Sequence, residues 1–220
     1  ICYQIPAMIM DGTAIVVSPL ISLMKDQVGA LTEAGIPAAY INSSLTDAQQ
    51  SAVFSKSRSG AYKLIYVAPE RLTSRDFIDF AAGTEISMLC VDEAHCISQW
   101  GQDFRPSYTD IPDFLSRLRK RPVVCAFTAT ATPKVRDDIR SKLGLVSPEL
   151  LVTSFDRKNL YFEVRRPASK IAELLGIIKN RPDRSGIVYC STRANVDTVC
   201  EQLCDAGISA SRYHAGLSDD

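Results

Sequence analysis

The residues that could do chemistry begin with two adjacent carboxylates, Asp92 and Glu93, which follow the apolar run Ser87-Met88-Leu89-Cys90-Val91. Such a run reads as a strand buried in a sheet, and an open α/β sheet binds its ligands at the carboxyl ends of its strands. Hydrolysis of a nucleotide phosphate needs one carboxylate to hold Mg2+, directly or through water, and another to orient or deprotonate the attacking water. Asp92 suits the first role and Glu93 the second. Taken alone, an Asp-Glu pair after a strand is equally a solvated acidic turn, so the next residues decide its weight.

Those residues are Ala94-His95-Cys96-Ile97-Ser98-Gln99-Trp100-Gly101-Gln102-Asp103-Phe104-Arg105-Pro106-Ser107-Tyr108. Trp100, Phe104 and Arg105 just downstream of a hydrolysis site can offer two stacking faces and a guanidinium to an unpaired nucleic-acid strand. Stacking of a base on an aromatic ring is worth roughly 1–3 kcal/mol and tolerates any sequence. Core filling would account for either aromatic singly, but less well for both in a polar, glycine-containing stretch.

Further along the chain, Val17-Ser18-Pro19-Leu20 ends a strand, turns and opens a helix that carries Lys25. Backbone N–H groups and hydroxyls at such a point are ready phosphate ligands; equally, Ser18-Pro19 is a helix-entry turn and Lys25 a solvated charge. The run Ala126-Phe127-Thr128-Ala129-Thr130-Ala131-Thr132 places threonines where they can hydrogen-bond the acidic pair, although a strand followed by a helix cap would look the same.

These residues need a frame, and the chain supplies a regular one. Short β-branched runs at Ala14–Val17, Ala38–Ile41, Leu64–Val67, Ile86–Val91 and Val123–Phe127 alternate with amphipathic stretches, the pattern of parallel βαβ units. The stretch Leu20–Ala34 closes on Gly35, and Thr46 with Gln49 makes a capping box for a helix from Asp47 to about Arg58. Thr132-Pro133 opens another helix, which Gly144 suits as a C-terminal cap. After a connection from about Leu145 to Asn159, a second series predicts strands at Tyr161–Val164, Gly186–Cys190 and Ala210–Tyr213, with helices over Ser169–Lys179 and Ala194–Ala206. The expected organisation is a first α/β lobe over residues 1–154 and the start of a second over 155–220.

With 25 Lys plus Arg against 25 Asp plus Glu, no overall positive field draws the chain to nucleic acid, so any such contact must be local. Seven cysteines, odd in number and without a C-x-x-C pair, fit reduced thiols in an intracellular protein; Cys200 and Cys204, four apart on a helix, read as buried thiols rather than metal ligands. No apolar run is long enough to span a membrane, and the opening Ile1-Cys2-Tyr3-Gln4-Ile5-Pro6 is unlike a signal peptide. A cytoplasmic, nucleoid-associated location is expected.

The string Asp92-Glu93-Ala94-His95 with its extension Ser98–Tyr108 resembles the second motif and aromatic-rich loop of RecQ-type DNA helicases. Other segments resemble the same family in order. They are Val17–Gln27, Ala68-Pro69-Glu70-Arg71-Leu72, Ala126–Thr132, Phe155-Asp156-Arg157-Lys158-Asn159-Leu160, Gly186–Arg193 and Tyr213-His214-Ala215-Gly216-Leu217.

The resemblance implies tandem RecA-like parallel-sheet lobes, ATP and Mg2+ as cofactors, and single-stranded and duplex-junction DNA as partners. It also implies 3′ to 5′ translocation and unwinding in DNA repair and recombination. By the same resemblance His95 joins the catalytic set, His95 and Gln99 link hydrolysis to the DNA loop, and Thr128 and Thr130 relay it. Ser18, Lys25, Arg71, Ser191, Arg193 and His214 would contact the DNA backbone.

Gln102 departs from the family, which usually has histidine there, so the loop loses a group able to become a cation. The sequence contains no G-x-x-x-x-G-K-[ST] loop, and Ile1-Cys2-Tyr3-Gln4 resembles the segment directly after that loop in the family. The chain is therefore read as an internal fragment, its first lobe lacking the strand of that loop and its second lobe cut before the later motif with an arginine finger. By itself it is expected to be inactive. The alternatives are a nonenzymatic DNA-binding module and a related RNA helicase of the D-E-A-D or D-E-A-H groups. A thiol hydrolase using Cys96 and His95 carries little weight.

Overall fold

The computed structural model describes residues 1–153 and 157–217, so Phe155 and Asp156 of the expected entry into the second lobe lie outside the described residues. The chain divides into two compact units, Ile1–Leu151 and Val152–Asp220.

The first unit is built on five parallel strands: β1 (Thr13–Val17), β2 (Ala38–Ile41), β3 (Leu64–Val67), β4 (Ile86–Val91) and β5 (Val123–Ala126). They lie in the order β2-β3-β1-β4-β5. Alternation along each strand sends side chains to two different layers. Ile15, Val17, Ile65, Val67, Leu89 and Val91 enter one core with Phe54, Phe77, Phe80 and Phe114, while Ala14, Val16, Leu64, Tyr66, Met88 and Cys90 enter a second with Met24, Val28 and Leu31. Burial on both faces explains why β1 to β4 read as unbroken apolar runs, while β5 is only partly covered, with Val123 exposed.

The helices follow from the same division. α1 (Gln4–Ile9) and α2 (Ile21–Glu33) cover one face; α3 (Asp47–Arg58), α4 (Arg75–Ala82), α5 (Ile111–Arg117) and α6 (Pro133–Lys142) cover the other. The expected capping box of α3 is formed, with Thr46 Oγ1 accepting from the Gln49 N–H and Gln49 Oε1 accepting from the Thr46 N–H. Thr132 caps α6 as expected, and Gly144 follows in the left-handed region at φ +57°. Gly35 ends α2 at φ +76°.

The chain leaves β1 toward β2 by α2 on one face and leaves β4 toward β5 by α5 on the other. The connections thus diverge between β1 and β4, the topological switch point at which open α/β sheets bind ligands. Val17 is in register with both Val67 and Val91, and Val91 with Ala126, so the strand ends are level. Ser18, Ala68, Asp92 and Phe127 therefore stand side by side at one edge. Their N–H groups extend the ladders: Ser18 to Val67 O at 3.1 Å, Asp92 to Val17 O at 2.9 Å, and Phe127 to Val91 O at 2.9 Å.

In the second unit α7 (Lys170–Lys179) and α8 (Arg193–Asp205) form, capped by Ser169 and Thr192. The strands expected at Tyr161–Val164, Gly186–Cys190 and Ala210–Tyr213 do not: among the described residues none of these runs has a ladder of hydrogen bonds. A strand exists only with a partner for its backbone, and without one Tyr161, Phe162, Val164, Ile187, Tyr189 and Tyr213 are each at least 80% exposed. The cysteine expectation also changes here. All seven are free, but Cys204 is exposed and Cys200 only half-buried, because no strand layer covers α8.

Candidate functional site

β4 delivers the acidic pair to the switch point. Tyr108, fully buried, donates its hydroxyl to Asp92 O at 2.9 Å and so holds the backbone where the strand ends. Asp92 Oδ1 accepts the Glu93 N–H at 3.0 Å. Burial pushes the Asp92 carboxyl above the usual carboxylate range, an effect the Glu93 N–H partly offsets. A carboxylate that loses solvation in this way gains more than a solvated one from a nearby cation.

Glu93 occupies the left-handed region at φ 46° and ψ 45°. A non-glycine residue there costs on the order of 1–3 kcal/mol and persists only when its surroundings enforce it. The enforcement is visible on the next turn of chain: the Ala94 N–H donates to Phe127 O at 2.9 Å and the Cys96 N–H to Glu93 O at 2.8 Å. The bend turns the Glu93 carboxylate toward His95, whose Nδ1 lies 3.2 Å from Glu93 Oε2 and 3.0 Å from Thr128 Oγ1. One ring nitrogen thus meets both the acidic pair and the threonine segment after β5. Thr128 Oγ1 in turn accepts the Thr130 N–H at 3.3 Å.

The loop beyond His95 returns on itself. Arg105 N–H donates to Cys96 O at 2.9 Å and Gly101 N–H to Ser98 O at 2.9 Å. Gly101 is required at this point, since a Cβ would collide with His95 O. Ser98, fully buried, donates to Asp138 Oδ2 of α6 at 2.8 Å and accepts the Trp100 N–H at 3.2 Å. Trp100 is 63% exposed and Phe104 36%, which removes core filling as their role. The Lys134 ammonium of α6 sits 3.1 Å from the Trp100 ring centroid.

Arg105 is held rather than free. Its guanidinium meets Asp103 Oδ2 at 2.8 Å and donates to Pro19 O at 2.9 Å, tying the aromatic loop to the β1–α2 turn beside Ser18.

Of the expected site residues, the structure brings Asp92, Glu93, His95 and Thr128 together, and joins Trp100 and Arg105 to them through the loop. Gln99 is exposed and its side chain makes no hydrogen bond among the described residues, so contact between the acidic pair and the loop passes through His95 and Ser98 instead. At the same edge Ser18 Oγ and Arg71 Nε are buried without a hydrogen-bond partner among the described residues, while Lys25 is exposed on α2. In the second unit Ser191 Oγ accepts from Asn195 Nδ2, Arg193 lies beside Gly216, and His214 Nε2 meets Asp197 Oδ1 at 3.1 Å.

Sequence reasoning missed Tyr108, Asp138, Lys134 and Lys142. A signal was there for the last three, which lie at i, i+4 and i+8 along one face of α6.

A family model described as DEAD/DEAH box helicase matches residues 1–139. An ATP-dependent DNA helicase RecQ of Bacillus subtilis is 49% identical over 220 residues, covering 100% of this chain and 37% of its own length. A protein of the same description from Pasteurella multocida is 43% identical over 217 residues, 99% of this chain and 34% of its own. The RecQ-like DNA helicase BLM of Xenopus laevis is 37% identical over 229 residues and is covered to 17%. The chain thus spans about a third or less of these relatives.

Among solved structures, the DUF1998 helicase MrfA bound to DNA aligns with 93% of this chain and 32% of its own at TM-score 0.68 and 17% identity. Helicase Lhr of Mycobacterium smegmatis aligns with 94% of this chain and 31% of its own at TM-score 0.56 and 16% identity. At such identities the likeness speaks for the fold, that of RecA-like helicase domains. The chain belongs to the DEAD/DEAH box helicase family and, within it, is a RecQ-type sequence.

Proposed function

We propose that the chain is the hydrolysis-and-coupling part of an ATP-dependent DNA helicase that moves 3′ to 5′ along single-stranded DNA and unwinds duplex and junction DNA in repair and recombination. The observation that carries this reading is the continuity of the site. His95 Nδ1 reaches Glu93 and Thr128 together, and the loop beginning at His95 carries an exposed Trp100.

The residues fit Mg2+ and a nucleotide in part. Mg2+ characteristically takes one or two carboxylates and completes its shell with water and phosphate oxygens. Asp92, short of solvation and with Oδ2 free of hydrogen bonds among the described residues, suits that single-carboxylate role. When bound, the ion would neutralise charge on the transferred phosphoryl group. Glu93, fixed in its left-handed bend, orients or deprotonates the attacking water. His95 holds the Glu93 carboxylate and senses Thr128.

Trp100 and Phe104 stack bases, and Arg105 fixes their loop against the β1–α2 turn. Ser18, Lys25 and Arg71 receive backbone phosphates, and the unpartnered Ser18 Oγ and Arg71 Nε support that role. Ser191, Arg193 and His214 act likewise from the second unit. The phosphate-gripping lysine of a G-x-x-x-x-G-K-[ST] loop is not among the 220 residues. An arginine finger alone can be worth about 10³–10⁵ in rate. The 220-residue chain by itself is accordingly proposed to turn over ATP very poorly.

The test is DNA-stimulated ATPase activity of the complete native protein, with Glu93→Gln and Trp100→Ala versions. Stimulation by single-stranded DNA, its loss in Glu93→Gln, and unstimulated but surviving turnover in Trp100→Ala are the expected results. DNA binding without any ATP turnover would instead make the protein a binding module. Preferential stimulation by RNA would make it an RNA helicase.

A further inference from the structure

We infer that Asp138 of α6 is a positioning residue that sets the presentation of Trp100, through Ser98; this deepens, and rests on, the reading of Trp100 as a base-stacking platform. Three contacts join α6 to the loop. Asp138 Oδ2 accepts from Ser98 Oγ at 2.8 Å. Lys142 Nζ donates to Ile97 O at 3.1 Å and pairs with Asp138 at 3.4 Å. Lys134 Nζ lies over the Trp100 ring.

Ser98 is the pivot. It is fully buried, and its one hydroxyl both donates to Asp138 and accepts the Trp100 N–H, so its proton direction is set by the carboxylate. With Asp138 as the acceptor, the Ser98 lone pairs face Trp100 and fix the backbone from which the indole projects. Without it the hydroxyl can rotate, and the Trp100 N–H loses a directed partner. The same helix starts at Thr132, directly after the Thr128–Thr130 segment that His95 contacts. Movement of that segment would therefore reach Trp100 along α6 as well as along the loop from His95.

The test uses the 220-residue chain, because Trp100 is its single tryptophan and indole fluorescence reports this loop alone. Acrylamide quenching and emission maximum would be measured for wild type, Asp138→Ala, Asp138→Asn and Ser98→Ala, each checked by circular dichroism for its fold. Asn keeps an acceptor oxygen for Ser98, whereas Ala does not.

Asp138→Ala and Ser98→Ala should raise the quenching constant of Trp100 about twofold or shift its emission, and Asp138→Asn should restore the wild-type signal. In the complete native protein, losing a hydrogen bond to a charged group should weaken binding of an oligo-dT single strand about tenfold in Asp138→Ala. Equal fluorescence in wild type and Asp138→Ala chains that remain folded would overturn the assignment. So would equal loss in Asp138→Ala and Asp138→Asn, which would leave charge on α6, not the Ser98 link, as the operative feature. If the complete native protein fails to bind the oligonucleotide while the fluorescence pattern holds, the positioning role stands and the base-stacking reading falls.

Discussion

Asp92 carries a charge that its surroundings resist, and this gives the residue scale its clearest expectations. Its carboxyl is raised by burial, so above its unfolded-state value the ionised form is disfavoured in the folded chain, and falling pH relieves that cost. Asp92→Asn should therefore stabilise the metal-free chain, by about 1 kcal/mol if it resembles other functional-site replacements, while removing Mg2+-dependent turnover from the complete protein. Thermal melts at pH 7 with and without Mg2+ would check it; a lower melting temperature for Asp92→Asn would contradict the burial argument. Because the carboxyl takes up its proton at higher pH than an ordinary aspartate, Mg2+-dependent activity should also fall away earlier as the solution is acidified. Gly101→Ala offers a different expectation. Its Cβ would meet His95 O, so the loop must shift, at a cost of about 1–3 kcal/mol, read as a lower denaturation midpoint with a changed Trp100 emission. At this scale the string Asp92 to Tyr108 was legible because residue type alone announces the chemistry. Tyr108 as the prop beneath Asp92, and Asp138 as the acceptor for Ser98, were not, since each acts across 16 or 40 residues of chain.

The elements were legible where a period is long enough to count. β1 to β4 stand out because a sheet covered on both faces makes each of them a continuous apolar run. α3 and α6 announce themselves by Thr46 and Thr132, whose hydroxyls cap them. α4 and α5 went unread: eight and seven residues long, they show barely two turns of pattern, and α5 carries Pro112 near its start. Yet α4 supplies much of one core. Phe77 and Phe80 pack with Phe54 of α3, with ring centroids 5.2–6.3 Å apart, and Phe77 meets Phe114 of α5 at 5.4 Å. Phe77→Ala should accordingly cost about 3–5 kcal/mol, lowering the urea midpoint with an unchanged slope. A loss under about 1 kcal/mol would mean that this layer is looser than its four rings suggest. The second unit shows the opposite failure. Tyr161–Val164 and Gly186–Cys190 have strand composition, but composition supplies no backbone partner, and a run without one keeps its apolar side chains in water.

For the whole molecule, that exposure and the charge balance act together. The formal net charge is zero at pH 7, so no long-range repulsion keeps copies apart. Leu160, Tyr161, Phe162 and Val164, with Ile187, Val188 and Tyr189, put two clusters of apolar side chains on the surface of the second unit. Unpaired backbone beside apolar side chains is a template for association. The first unit differs, with β1 to β4 buried on both faces and the acidic pair, His95 and the aromatic loop all within Ile1–Leu151. A chain of residues 1–151 should consequently keep the cooperative melt and the Trp100 emission of the 220-residue chain. It should also bind about half as much of an apolar fluorescent dye, since it loses the second unit's patches but keeps exposed Ile1, Ile5, Ile9, Val123 and Val146. Residues 1–220 should associate most near neutral pH and less on either side of it, as net charge of one sign accumulates. Light scattering and dye fluorescence across pH, on both chains, would check this. Equal dye binding by the two would assign the exposed apolar surface to the first unit, and unfolding of 1–151 alone would show that the first unit depends on the residues beyond it.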